Sequence, residues 1–450
     1  MSDEESQPVV GIIGMGDMGR MYAKRLHAGG IKTIYVCDKP DCFDALKEEF
    51  KGTGIHVLRD GHAVSRLSTF IIYSVEAAAL PAVVKEYGPS TRVGAVVAGQ
   101  TSVKAPEREA FEKWLPEDVG ITSVHSLHGP SVTTEGQPLI IIHHRGPEEN
   151  VEMVEDVFRS FKSRYVYLSY EEHDKVTANT QAVTHAAFLS MGTAWQKSSS
   201  YPWETTRYVS GIEVIKVNIT LRIYSAKWHV YAGLALLNPS AKSQIQQYAT
   251  SATELFKLMV EGRGEELEDR IWAAREEVFG WRRGEEAGEG DEARAPILLS
   301  EDVLDQFSLG KATEAQSRES PNSHLSLLAM VDCWAKLGIR PYEHLDVAGT
   351  PVFMLWIGRN TIGVAEYLFR SPALLSAALR AALSDRVHRP DDVEFVVAAR
   401  GWSECVDVGN FDWYRRRFEE TSNFFAPRFD EATKLGGKMI KAIQDGMRGR

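Results

Sequence analysis

Three glycines near the start of the chain constrain its fold more than any other feature. Gly14, Gly16 and Gly19 stand at GxGxxG spacing, directly after the apolar run Pro8-Val9-Val10-Gly11-Ile12-Ile13. Directly after them comes Arg20-Met21-Tyr22-Ala23-Lys24-Arg25-Leu26, with helical periodicity. A strand that turns through such glycines into a helix is the opening of a dinucleotide-binding βαβ unit. The first glycine makes the tight turn, the second lets a pyrophosphate approach the backbone, and the third lets helix and strand pack closely. The helix N-terminus offers unpaired N–H groups to the phosphates, so Met15, Asp17 and Met18 in the same loop join the glycines as cofactor contacts. A second strand, 33–38, ends at Asp38, about 20 positions on, where a carboxylate holds a ribose hydroxyl. Asp38 alone favours NAD, because a carboxylate repels a 2′-phosphate. Lys39 beside it can hold that phosphate instead, and these residues leave NAD and NADP both open.

Strand and helix patterns continue to alternate. Strand 69–75, which carries Ser74 and Val75 to the cofactor, is followed by helix 80–87, and strand 94–102 by helix 106–115. Strand 121–124 leads into His125-Ser126-Leu127-His128-Gly129-Pro130, and strands 137–144 and 165–168 close the sheet around helix 148–161. Near-continuous apolar strands alternating with helices mean a parallel, doubly wound sheet. His125, placed just past a strand end, reads as a catalytic base, half of a metal site, or a loop histidine. A metal is disfavoured, since no Cys or carboxylate cluster at ligand spacing accompanies it. His143 and His144 are strand neighbours, point to opposite faces and cannot chelate together.

From residue 171 strand patterns almost vanish, and segments 171–198, 217–237, 241–261, 265–278, 323–337, 353–383 and 412 to the end read as helices. Segments 281–296 and 310–321 read as surface loops. The expected organisation is a nucleotide domain over 1–170, a helical domain over 171–300, and a helical extension of it over 301–450. In the first helix Asp174, Thr177, Gln181 and His185 share one stripe, while the other faces beyond 181 are apolar. His185 must therefore find a buried partner or line a cavity. Arg222 lies in an apolar helix, where a guanidinium needs an anion, either a substrate carboxylate or one of the chain's own.

The 450 residues allow two or three domains, and the formal net charge of −11 argues against a nucleic-acid or anionic-membrane surface. Four scattered cysteines, Cys37, Cys42, Cys333 and Cys405, look like thiols of a reducing compartment. An acidic, polar N-terminus and the lack of an apolar run near 20 residues point to a cytoplasmic protein without a membrane span.

Several segments together resemble the prephenate dehydrogenases, most closely the long fungal form used in tyrosine biosynthesis. They are Gly99-Gln100-Thr101-Ser102, the His125–Pro130 stretch, Thr134-Glu135-Gly136-Gln137-Pro138, Tyr170-Glu171-Glu172-His173-Asp174, Gln181-Ala182-Val183-Thr184-His185, Leu221-Arg222 and Lys227-Trp228-His229-Val230-Tyr231-Ala232-Gly233. The resemblance covers essentially the whole chain. It implies an α/β N-terminal Rossmann domain, with a doubly wound, mostly parallel sheet, followed by an all-α C-terminal domain that forms a homodimer. It implies oxidative decarboxylation of prephenate to 4-hydroxyphenylpyruvate with hydride transfer to NADP, and Lys39 as a 2′-phosphate contact.

Residue by residue, the resemblance makes His125 the acceptor of the hydroxyl proton and Ser102 its hydrogen-bonding companion. Arg222 matches a substrate-carboxylate ligand, and Gln181, His173 and His185 match substrate-side positions. The rivals are an arogenate dehydrogenase, a non-catalytic NAD(P)-sensing protein, and a β-hydroxyacid dehydrogenase. The last relies on a helical-domain lysine, where this chain offers histidine and glutamine. A sensor would need neither Ser102, His125 nor Arg222.

Overall fold

The computed structural model describes residues 7–130, 132–204, 211–286, 308–309, 322–344, 358–435 and 438. The chain divides into two compact units, with the break between Val176 and Thr177.

The first unit is built on eight strands: β1 (Val10–Ile13), β2 (Ile34–Cys37), β3 (Ile55–Val57), β4 (Phe70–Tyr73), β5 (Val96–Gly99), β6 (Gly120–Ser126), β7 (Pro138–Arg145) and β8 (Arg164–Tyr167). Their order in the sheet is β3-β2-β1-β4-β5-β6-β7-β8. Helices α1 (Asp17–Ala28), α2 (Phe43–Glu49), α3 (Gly61–Leu67), α4 (Leu80–Tyr87), α5 (Ala105–Trp114) and α6 (Glu149–Phe158) connect them. The chain winds outward from β1 to β2 on one side and to β4 on the other, and a crevice opens at the carboxyl ends of β1 and β4. Val10, Ile12, Phe70, Ile72, Val96 and Val124 form one core with Tyr22 and Leu26 of α1 and Val154 and Phe158 of α6.

The sheet is mostly parallel, as expected, with one reversal: β7 runs antiparallel to β6. Among the described residues, the connection between them carries no helix. A parallel return needs a crossover of a dozen or more residues, usually helical, whereas a short loop returns antiparallel. Strand β3 was not expected, because three residues are too few to show a period. The helix expected over 148–161 stops at Phe158 and tightens into a 3₁₀ turn.

Helix α7 (Tyr170–Lys197) carries the chain across the break. The second unit continues with α8 (Ile212–Ser225), α9 (Trp228–Leu237), α10 (Ala241–Glu261), α11 (Gly264–Phe279), α12 (Leu325–Leu337), α13 (Gly358–Arg370), α14 (Pro372–Ser384), α15 (Arg389–Val408) and α16 (Phe411–Phe425). One hydrophobic core runs from Ala178 to Ala432, so the described helices after residue 322 share it with the helices before them.

Three helix expectations are corrected. The single helix over 217–237 is two, because Ala226 and Lys227 are extended, with ψ 176° and 119°. The single helix over 353–383 breaks at Ser371-Pro372: Ser371 Oγ caps the new helix at Leu374 N, and proline has no N–H to continue the old one. Helix α15 was missed altogether, although Pro390 in its first turn and Asp391 and Asp392 behind it are start signals. Residues 287–296 and 310–321 of the expected loops, 353–357 of that helix and the last residues of the C-terminal one lie outside the described residues.

Candidate active site

The glycine loop has the shape its spacing predicts. Gly14 has φ +101°, and a Cβ there would collide with Ser74 O and meet Val75 Cγ1 at 2.7 Å. A Cβ on Gly19 would strike Gly14 O, whereas one on Gly16 would meet nothing within 4 Å. The loop is thus tight against β4 and α1 where it must be, and open where a pyrophosphate would come. No side chain of the N-cap residue Gly16 caps helix α1, so its N-terminal turn is where phosphate oxygens would be held.

Asp38, at the end of β2, accepts from Met15 N at 2.7 Å through Oδ2 and from Lys39 N at 2.7 Å through Oδ1. Lys39 is exposed beside it. Ser74 Oγ accepts a hydrogen bond from Gln100 Nε2, which ties the ends of β4 and β5 together. These residues fit a dinucleotide.

The histidine of interest sits one place earlier in the architecture than expected. His125 lies inside β6, not past its end, because β7 extends the ladder: His125 pairs with Ile140 and Ser126 with Leu139. On the other side the parallel register joins Val96 to Gly120 and Val97 to Ile121 and stops there. Strands β5 and β6 therefore fork. Lys104 fills the fork, its ammonium donating to Gly99 O and Val124 O, each at 3.0 Å.

Burying that ammonium is costly unless it is paired. Glu107, one helical turn on, supplies the counter-charge at 2.9 Å, both side chains being 0% exposed. Glu107 also accepts from Ser123 Oγ and Thr101 Oγ1, each at 2.6 Å. The Ser123 hydroxyl meets Tyr170 OH at 2.8 Å.

His125 shares a face of β6 with Ser123. Its Nδ1 lies 2.8 Å from His173 Nε2, and His173 Nδ1 lies 3.0 Å from Asp174 Oδ1. Asp174 accepts from Lys104 N and Ala105 N, each at 2.8 Å. Burial first, and then the neighbouring His173, Lys104 and His128, hold the His125 imidazole well below its ordinary pKa. Burial and Lys104 do the same to His173. Both rings are thus neutral near pH 7.

Ser102 is half-buried, three residues past the end of β5, and no hydrogen bond joins it to His125. His128 is turned onto its own loop, with Nδ1 3.0 Å from Gly129 O. His143 bonds to Thr122 and Gly146, and His144 to Glu112, so the pair is structural. Among the described residues no cluster suited to a metal ion occurs.

In the second unit His185 is buried with neither ring nitrogen hydrogen-bonded. Its ring meets Tyr231 edge-on at 4.8 Å between centroids. It lines an apolar cavity of about 10 Å³ with Ala182, Leu189, Leu234, Trp402 and Tyr414. That is room for one water. Burial pushes its pKa down to about 3. Arg222 is half-buried near the end of α8, and burial lowers its pKa to about 10 against the opposing pull of Tyr231. Gln181 is half-buried on α7.

Sequence reasoning missed Lys104, Glu107 and Asp174 as parts of the site. The spacing Lys104-x-x-Glu107 and the aspartate after His173 were the available signals.

A dinucleotide crevice at the switch point of a doubly wound sheet, with a buried neutral histidine two strands away, defines an NAD(P)-dependent oxidoreductase. Residues 9–98 match the family "NADP oxidoreductase coenzyme F420-dependent", and residues 182–445 match the family "TYR1-like, 6-phosphogluconate dehydrogenase C-terminal domain". The chain is 51% identical over 438 residues to a probable prephenate dehydrogenase (NADP+) of Schizosaccharomyces pombe, covering 97% of this chain and 98% of that one. It is 50% identical over 441 residues to the prephenate dehydrogenase (NADP+) of Saccharomyces cerevisiae, covering 97% and 94%. A probable arogenate/prephenate dehydrogenase of Methanocaldococcus jannaschii is 23% identical over 254 residues, 56% of each chain. The chain belongs to the prephenate dehydrogenase family.

Proposed function

We propose that this protein converts prephenate to 4-hydroxyphenylpyruvate with NADP, in L-tyrosine biosynthesis. The observation that carries the reading is His125: a neutral, buried imidazole on the strand next to β5, in a chain whose full-length relatives are named for this reaction. His125 accepts the proton of the ring C4 hydroxyl, and Ser102 hydrogen-bonds that hydroxyl. Arg222 binds a substrate carboxylate, with Gln181 and His185 on the substrate side. NADP, when bound, takes up the hydride released from C4. Loss of the ring carboxylate as CO₂ completes the aromatic ring, so the protein's work is positioning and control of charge.

The full enclosure of His173 behind His125 suits a supporting place for it rather than the substrate contact that the resemblance implied. The cofactor would be held by Gly14, Met15, Gly16, Asp17, Met18 and Gly19, with Ser74 and Val75 beneath. Both Asp38 oxygens accept from backbone N–H groups, and Lys39 stands exposed next to them for a 2′-phosphate.

The active form is proposed to be a homodimer through the helical domain. Val393 and Val397, one turn apart on α15, are 43% and 61% exposed and suit such a surface. Free thiols at all four cysteines suit the cytoplasm. No described helix is long and apolar enough to cross a membrane.

The purified protein should reduce NADP when given prephenate, read as reduced-nicotinamide absorbance. Silence with both NADP and NAD would overturn the enzyme reading, and preference for arogenate would reassign the substrate.

A further inference from the structure

We propose that Asp174 and His173 are positioning residues that fix the tautomer of His125, leaving its Nε2 lone pair as the base. The proposal rests on the reading of His125 as proton acceptor and adds what makes it one. The chain of contacts is Asp174 Oδ1 to His173 Nδ1 at 3.0 Å, then His173 Nε2 to His125 Nδ1 at 2.8 Å.

Two donors near Asp174 cannot change sign. Lys104 N–H and Ala105 N–H are backbone donors at the start of α5, and they point at the two oxygens of Asp174. Helix α5 has no cap of its own, so Asp174 serves as its cap from another helix. Both oxygens are therefore acceptors. Burial raises the Asp174 carboxyl, while these two N–H groups and the Lys104 ammonium pull it back.

A carboxylate only accepts, so the hydrogen between it and His173 belongs to His173 Nδ1. His173 is 0% exposed and neutral, so its Nε2 bears a lone pair and no hydrogen. The hydrogen of the next bond must then come from His125 Nδ1. A neutral His125 with Nδ1–H has its lone pair on Nε2, the nitrogen outside the chain. With Asp174 ionised and both rings neutral, no other arrangement of hydrogens satisfies these two contacts at once.

Proton balance is simple. The substrate hydroxyl proton moves to Nε2, and His125 becomes an imidazolium whose Nδ1–H still donates to His173; when loss of CO₂ leaves the ring oxygen as a phenolate, the same proton returns to it from Nε2 and His125 is neutral again. Asp174, beyond His173, supplies negative charge on that side, since Glu107 is engaged with Lys104. The groups set against that cation are Lys104, just before α5, and His128 of the loop after β6. Tyr170, whose hydroxyl meets Ser123 Oγ, stays neutral because burial and Glu107 raise its hydroxyl.

The test uses the full-length enzyme with prephenate and NADP. His173→Leu removes the acceptor, whereas His173→Gln keeps a carbonyl oxygen that accepts from His125 Nδ1. We expect His173→Leu to lower kcat about 10–100-fold, as when a metal-bound histidine loses its hydrogen-bond partner, with KM for prephenate little changed and His173→Gln recovering part of it. The ¹⁵N NMR spectrum of histidine-labelled protein, with His125 assigned through His125→Asn, should show His125 as the Nδ1–H tautomer. His173→Leu and Asp174→Asn should convert it to a mixture.

Unchanged kcat and an unchanged tautomer in His173→Leu would overturn the proposal while leaving His125 as the base. Full turnover in His125→Asn would overturn both. The NMR readout needs no turnover, so it decides the tautomer even if Asp174→Asn weakens α5.

Discussion

Among single residues, His125 is notable for what surrounds it rather than for its identity. An imidazole in water changes charge near pH 6.5, close to the working pH of a cell. Here burial and the neighbouring His173, Lys104 and His128 favour the neutral ring, so a proton binds only at lower pH. A base works when unprotonated, so lowering its pKa extends its working range toward acid. Turnover should hold level as pH falls through 6.5 and decline only below it. A kcat profile whose acid limb is centred at or above 6.5 would contradict this. His125→Asn should cost about 10²–10⁴-fold in kcat with NADP affinity intact, measured by steady-state kinetics and by cofactor titration. Retention of activity would move the base elsewhere.

Between elements, helix α5 is tied to strand β6 through the buried Lys104–Glu107 pair, whose ammonium donates to Val124 O and whose carboxylate accepts from Ser123 Oγ, and strength there depends on both partners staying. Removing one partner leaves an unpaired charge in a dry place, typically a loss of about 3–5 kcal/mol. Lys104→Met should destabilise the fold by about that amount in denaturant unfolding, and adding Glu107→Gln should recover part of it. A loss under about 1 kcal/mol would mean that water reaches Glu107.

The same elements show what a sequence can and cannot tell. The glycine loop was legible because a turn, an approach and a packing contact each demand glycine within six consecutive positions. The stripe on α7 was legible because helical geometry is local. The Lys104–Glu107 pair was half legible, as an i, i+3 spacing with no hint of burial. The contact of Asp174 with α5 was not, since it joins positions 70 apart through folding alone. Helix α8 likewise ran into α9 in the sequence because no glycine or proline stands at Ala226 and Lys227.

Across the full chain, two compact units with separate cores follow from a change of pattern near residue 170. The strands before it alternate with helices, and the helices after it carry enough apolar surface to build a core from Ala178 to Ala432. The homodimer proposed for the second unit predicts a sedimenting species of twice 50.2 kDa. Replacing Val393 and Val397 with Glu should convert it to one of half that mass. A wild-type protein that sediments as a monomer at micromolar concentration would refute the dimer. Charge on α15 that leaves the dimer intact would move the interface to another face.

The fork between β5 and β6 has a consequence for how this protein can change. Two parallel strands that part company after two paired residues forgo hydrogen bonds they might have made, and an ammonium ion stands in for them. A substitution that let the strands zip further would add main-chain hydrogen bonds and displace Lys104, whose ammonium acts on His125. Selection for activity therefore opposes selection for a better sheet at this one place. Variants chosen for heat resistance alone should drift toward a complete sheet and an idle enzyme.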